Sequence, residues 1–189
     1  MRSVEIANLH PGLRIVRSEI VRAIKVLDTG FRFTAADVPR LTRAGAARAR
    51  QQLKVSRDNS AVPEPAPTGE LSIVFLTDDA LASLHAQFLN DPSCTDVITF
   101  EGDTDAGSAG EICVSADTAE RYAAEHQRDF SEELTLYVVH GWLHLVGYDD
   151  LKPLKKRRMR AAESRALALL RAAEAVPVFR LRQKPALRK

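Results

Sequence analysis

Apolar and polar residues alternate along Val4-Glu5-Ile6-Ala7, the period of a half-buried strand, and the pattern weakens toward Leu9 before the turn His10-Pro11-Gly12. From Ile15 the period changes. Val16, Ile20, Ile24 and Leu27 recur at helical spacing, and Asp28-Thr29-Gly30 ends this amphipathic helix. A second strand reads clearly at Glu70 to Leu76. Thr77-Asp78-Asp79 then caps a helix through Leu81, Leu84, His85 and Phe88, broken by Asp91-Pro92-Ser93. Asp96 to Phe100 and Gly110 to Ser115 are further β runs. The polar loop Glu101 to Ala109 joins them as an antiparallel pair. Ala116 to His126 is helical, with Tyr122 and Ala123 turned inward.

The next helix differs from the others. Ser131-Glu132-Glu133 caps it, and Leu134, Leu136, Val138, Val139, Leu143 and Leu145 point in nearly all directions around its axis. A helix apolar all round is buried. A last helix runs from Lys152 or Pro153 to Glu174, with Leu154, Met159, Ala162, Leu167 and Leu170 inward. The expected fold is a single α+β domain. A small mixed sheet of about four strands (near 4–9, 70–76, 96–100 and 111–115) packs with helices around the central buried helix 131–146. The domain spans 1–175, and 176–189 is a basic, flexible tail. Residues 31–69 read as an insertion or linker within it. Leu41 to Lys54 forms an exposed basic helix there, and Pro63, Pro65 and Pro67 exclude regular structure in the linker.

Composition narrows the class. The 189 residues are 45% hydrophobic and 28% charged, as in a soluble globular protein. There is no apolar run of membrane-spanning length. Met1 to Pro11 lacks the basic and apolar regions of a signal peptide, so the expected compartment is the cytoplasm. A net charge of +2 excludes a strong polyanion binder overall, but Lys152, Lys155, Lys156, Arg157, Arg158 and Arg160 form a cluster suited to phosphates. Cys94 and Cys113 have no metal-type spacing and read as incidental thiols. His10 sits at a turn and reads as structural or incidental, and His85 and His126 lack partners at ligand spacing.

The chemistry concentrates in His140-Gly141-Trp142-Leu143-His144-Leu145-Val146-Gly147-Tyr148-Asp149-Asp150. Residues four apart on a helix share a face, so His140 and His144 can grip one metal ion. Gly147 lets the chain turn, which returns Asp150 as a third ligand. Three protein ligands describe a catalytic rather than a structural zinc site. Burying two imidazoles in an apolar helix is costly unless each is satisfied, and a metal satisfies both. The spacing is that of the metzincin proteases, but Gly141 stands where those enzymes carry their general-base glutamate, which disfavours a protease.

The same stretch resembles the signature of the YbeY family, bacterial zinc-dependent endoribonucleases of ribosomal RNA maturation and ribosome quality control. Cys94-Thr95-Asp96-Val97-Ile98-Thr99-Phe100 and Gly110-Glu111-Ile112 are similar to two further family blocks, in family order. The resemblance implies a metal-dependent nuclease cutting single-stranded RNA, with ribosomal RNA and the small ribosomal subunit as partners and neither membrane nor DNA. It implies one Zn²⁺ on His140, His144 and Asp150, activating a water. Thr95, Asp96 and Glu111 would line the cleft, and Lys152, Lys155 and Arg157 would contact RNA. Asp149 and Asp96 are the candidates for proton transfer, and no residue identifies itself as the general base. Two departures stand out. Asp150 replaces the family's third histidine, which weakens the Lewis acid and favours harder metals such as Mn²⁺. Leu89 stands where the family has a phosphate-binding arginine, which leaves open a non-catalytic RNA- or ribosome-binding maturation factor with a structural metal. A metallohydrolase of another substrate is a third reading.

Overall fold

The computed structural model describes residues 2–57, 65–90 and 93–182. Four strands form the main sheet: β1 (Ser3–Asn8), β3 (Glu70–Leu76), β5 (Ser108–Ser115) and β4 (Val97–Glu101), in that spatial order. β1 pairs parallel with β3, β3 parallel with β5, and β4 antiparallel with β5, with Val97 opposite Val114 and Glu101 opposite Gly110. The mixed sheet and the hairpin are as the alternation predicts. A second, two-stranded sheet joins β2 (Leu13–Arg14) to β6 (Arg180–Leu181).

Among the described residues, six α-helices accompany the sheet: α1 (Arg17–Gly30), α2 (Arg43–Arg57), α3 (Asp78–Leu89), α4 (Ala116–Glu125), α5 (Phe130–Val146) and α6 (Pro153–Ala172). The central helix is α5, with Leu134, Val139, Leu143 and Val146 wholly buried. Its approach to the sheet is set by Gly141, where a Cβ would come within 2.5 Å of the Ile112 side chain on β5. A side chain at 141 would therefore hold the helix off the strand. Burial at this contact, at about 25 cal/mol per Å² of apolar area, is the main force seating α5.

Several local expectations are corrected. α1 ends at Gly30, the last residue of the expected stop, but takes in Asp28 and Thr29, and Asp28 is a buried acceptor for Arg2 (2.8 and 2.9 Å) and the Trp142 indole (2.9 Å). The α5 cap is Asp129, whose side chain accepts from the Glu132 amide, while the Ser131 hydroxyl exchanges hydrogen bonds with the Phe179 backbone. Leu154, expected inward, is 59% exposed in the first turn of α6.

Two larger corrections concern regions judged peripheral. Through Phe31, Phe33, Leu41, Ala46 and Ala49, all buried in the main core, the 31–57 part of the proposed insertion is integral to the domain. Of the basic residues of α2, Arg43, Arg50 and Lys54 are exposed as expected, while Arg48 is half-buried and donates to the Leu145 carbonyl at 3.4 Å. The tail expected from 176 onward is likewise anchored. Phe179 is buried with its ring 5.5 Å from that of Phe75 on β3, and β6 pairs with β2. Apolar spacing in Val176-Pro177-Val178-Phe179 is too short to reveal this. The rest of the tail, 183–189, and linker residues 58–64 lie outside the described residues.

Candidate metal centre

His140 and His144 stand one turn apart in the second half of α5 and face the same way, as their spacing requires. Their Nε2 atoms lie 3.0 Å from each other. At Gly147 the backbone enters the left-handed region (φ 109°), and its amide reaches back to the His144 carbonyl at 2.9 Å. This Gly C-cap turns the chain so that Asp150 faces the pair. Its two carboxylate oxygens lie 4.0 Å from His140 Nε2 and 4.0 Å from His144 Nε2. One donor atom from each of the three residues lies within 4.8 Å of the others. The structure thus brings together the three residues that spacing selected.

The outer ring nitrogens explain the orientation. His140 Nδ1 is 2.7 Å from Glu163 Oε1 on α6, and His144 Nδ1 is 3.2 Å from the Tyr148 carbonyl. Both partners accept hydrogen bonds, so each Nδ1 carries a proton and each Nε2 turns inward. Two bare lone pairs at 3.0 Å repel, so either a proton on one Nε2 or a metal cation lies between them. With a carboxylate beside them, this donor set fits a divalent metal, and its outer partners are those that fix ligating imidazoles in metal sites. Burial weighs against a charged His140, but the Glu163 hydrogen bond and the charges of Glu163, Asp96 and Asp150 outweigh it, so its pKa is raised. Burial, and then the His140 charge, lowers that of His144.

The donors open onto a cleft of about 480 Å³. Thr95, Asp96, Thr99 and Glu101 form one wall, and Thr42, Tyr148, Asp149 and Leu151 another. Thr95 and Asp96 are therefore where expected. Asp96 Oδ1 accepts the Val97 amide at 2.9 Å and the Thr95 hydroxyl at 3.2 Å. Asp149 lines the cleft but is engaged: one oxygen accepts the Leu151 amide (2.8 Å) and the other the Lys155 ammonium, and these partners lower its pKa. Lys155 is thereby tied to the cleft rim, while Lys152 and Arg157 are exposed and outside the lining.

Glu111 is not brought to this cleft. Successive side chains of a strand point to opposite faces. On β5, Ile112 faces Gly141 of α5, so Glu111 lies on the other face, where its carboxylate accepts from Cys113 Sγ at 3.5 Å. Leu89 closes α3, and its side chain lies outside the described residues. The other histidines are structural. His10 Nδ1 accepts the Gly12 amide and its Nε2 donates to Asp117, each at 3.1 Å. His85 bonds the Ser93 carbonyl, and His126 stacks on Tyr122.

Sequence reasoning missed Glu163, Thr42, Thr99 and the Tyr148 carbonyl. Glu163 is 23 positions from His140 on another helix, so no periodicity links them. A carbonyl carries no residue-type signal at all. Thr99 stood within the recognised block, and its buried hydroxyl has no hydrogen-bond partner.

The α+β domain carries two histidines of a His-His-Asp donor cluster on its buried central helix and the aspartate on the turn that follows, all open to a cleft. A family model described as "Endoribonuclease YbeY" matches residues 37–171, and the chain belongs to that family. Relatives named Endoribonuclease YbeY include one from Chlamydia abortus, 39% identical over 112 residues, covering 55% of this chain and 71% of the relative. One from Protochlamydia amoebophila is 42% identical over 109 residues, covering 56% and 73%. One from Sinorhizobium fredii is 35% identical over 122 residues, covering 61% and 69%. Among solved structures, the solution structure of TM1509 from Thermotoga maritima aligns over 98% of this chain and 99% of its own. It does so at 18% identity and a TM-score of 0.48, too loose a likeness to bear on the site. No helix among the described residues is long and apolar enough to cross a membrane.

Proposed function

We propose that this chain is a metal-dependent endoribonuclease. It cuts single-stranded RNA in ribosomal RNA maturation and ribosome quality control, acting on the small ribosomal subunit in the cytoplasm. The observation that carries the reading is the convergence of His140, His144 and Asp150 on one point at the floor of a cleft, in a chain of the YbeY family. These three residues would hold a divalent ion, zinc or, given the carboxylate, a harder metal such as Mn²⁺. When bound, the ion supplies Lewis acidity at a phosphodiester and a more acidic water.

The chain's own groups divide the remaining work. Glu163 and the Tyr148 carbonyl hold the two imidazoles in the tautomer that presents Nε2. Asp149 has both oxygens engaged and acts as a fastening for the loop after Gly147. Asp96 uses Oδ1 for the backbone and the Thr95 hydroxyl, so its other oxygen is the acceptor suited to take a proton in the cleft.

A second reading has its own support. The cleft lining carries four carboxylates, Asp96, Glu101, Asp149 and Asp150, and among the described residues no lysine or arginine. With no cation in that lining to offset charge developing at a phosphodiester, cleavage in the cleft is disfavoured, and the second reading is a non-catalytic RNA- or ribosome-binding maturation factor with a structural metal, its RNA held outside the cleft. Metal analysis of the purified protein, with cleavage of single-stranded RNA measured with and without chelator, decides between them. The nuclease loses cleavage on chelation, regains it with Zn²⁺ or Mn²⁺, and is silent as His140→Ala. Bound metal with no cleavage above the His140→Ala background refutes the nuclease. Unchanged metal affinity and cleavage in Asp150→Ala refutes the ligand role of Asp150.

A further inference from the structure

Tyr148 occupies an unusual place. Its carbonyl accepts from His144 Nδ1, and Asp150 follows two residues later. Its side chain is buried and held from every part. The ring lies between Phe31 (centroids 6.3 Å, edge-on) and Phe33 (6.0 Å, stacked). The phenol oxygen accepts from an Arg165 Nη at 3.0 Å, and the same nitrogen donates to Asp37 Oδ2 at 2.9 Å. Asp37 is wholly buried, and its Oδ2 also accepts the amide and hydroxyl of Thr34 at 2.7 and 2.8 Å. One residue earlier in the turn, the Gly147 carbonyl accepts the Thr42 amide at 2.7 Å. The Arg165 guanidinium lies over the Phe31 face, 5.4 Å from the ring centre.

This array is a poor device for stability. Burying the Asp37 carboxylate costs several kcal/mol in desolvation, its partner Arg165 is 33% exposed, and apolar residues of the same volume often stabilise as well or better. Here the pairing is also incomplete, since the buried atoms Asp37 Oδ1 and Arg165 Nε have no hydrogen-bond partner. What charged hydrogen bonds provide and apolar packing does not is direction. The direction is spent on a phenol whose backbone carries one imidazole partner and leads into the third donor.

We propose that the Asp37–Arg165–Tyr148 array is a brace that positions the Tyr148 carbonyl and the Asp150 carboxylate for the metal. Asp37, Arg165 and Tyr148 are then positioning residues, acting through His144 and Asp150. The proposal rests on the metal-site reading above. It also gives residues 31–42 a role: this segment supplies Phe31, Phe33, Thr34, Asp37 and Thr42, and its first residues precede the family match at 37.

Zinc binding to the full chain, stripped of metal with chelator and titrated by calorimetry, tests the brace. Tyr148→Phe removes only the hydroxyl. Its zinc Kd should rise about ten-fold, the lower end of what lost outer partners cost metal sites. The double variant Asp37→Asn/Arg165→Met, which removes both charges at similar volume and so avoids an uncompensated buried ion, should show at least the same rise. The visible absorption of the Co²⁺-loaded protein, which reports ligand geometry, should change in both. Leu81→Val, a change in the separate core cluster of Leu76, Leu81, Ile98 and Cys113, lowers the melting temperature by a few degrees and should leave zinc Kd and the Co²⁺ spectrum as in the wild type. Wild-type zinc affinity and spectrum in Tyr148→Phe and in the double variant, whatever their melting temperatures, overturn the brace. A wild-type zinc Kd in His140→Ala would instead show that the metal reading itself has failed.

Discussion

The two histidines and the aspartate reach the same point by different means. His140 and His144 ride on a helix that is buried along its length, so their relative position is set by α-helical geometry and by the seating of α5 on β5. Asp150 rides on a turn with no regular structure. Its position depends on Gly147, on the Thr42 amide, on Asp149 with Lys155, and on the side chain of Tyr148. A ligand pair built into a helix is insensitive to remote changes. A ligand on a turn is only as well placed as the distant residues that hold the turn.

This contrast can be broken at either end. The largest effect is expected at Gly45 in α2, where a Cβ would meet the Val146 carbonyl oxygen at 2.7 Å and the Gly147 Cα at 2.8 Å, both backbone. Backbone cannot rotate away, so Gly45→Ala should cost about 3 kcal/mol by overpacking, partly offset by better helix propensity. It should also weaken zinc binding by shifting the turn, measurable by denaturant unfolding and metal titration. Next is Gly141→Ala, where the Cβ meets the Ile112 side chain at 2.5 Å. A loss of about 2 kcal/mol is expected. Because the helix moves as a unit, the mutual geometry of the two histidines should survive, so stability should fall with less change in metal affinity than in Gly45→Ala. Equal loss of affinity in the two variants would erase the distinction. Smallest is Glu163→Gln, which keeps a hydrogen-bonding group beside His140 but removes the charge. Zinc affinity should fall about ten-fold with the fold intact, and an unchanged Kd would mean that helix geometry alone orients His140.

The legibility of each region follows the same division. The four strands of the main sheet, the hairpin, the helices outside residues 31–69 and the buried character of α5 were readable because their signals are periodic and local, whereas β2 and β6 were not read. The misreadings share one cause. Asp28 was read as part of a stop because an aspartate after apolar residues often ends a helix, yet a buried Arg2 and Trp142 make it an interior acceptor. Glu111 was assigned to the cleft by its place in a block, although strand alternation puts it on the opposite face from Ile112. Residues 31–57 and 176–182 were set aside for their weak periodicity, but Phe31, Phe33 and Phe179 are core residues whose partners lie far away in the chain.

By itself, then, the sequence determined the donor pair His140 and His144, the turn at Gly147 and the order of the elements, because each rests on the covalent spacing of neighbours. Only the tertiary structure decided that Glu163 would hold His140, and that Asp37 and Arg165 would meet at Tyr148. Those contacts join residues 17 to 128 positions apart, from Arg165 with Tyr148 to Arg165 with Asp37. Beyond the first turn of a helix, nothing in local geometry brings such residues together. Packing of the apolar core does, and the site is assembled as its consequence.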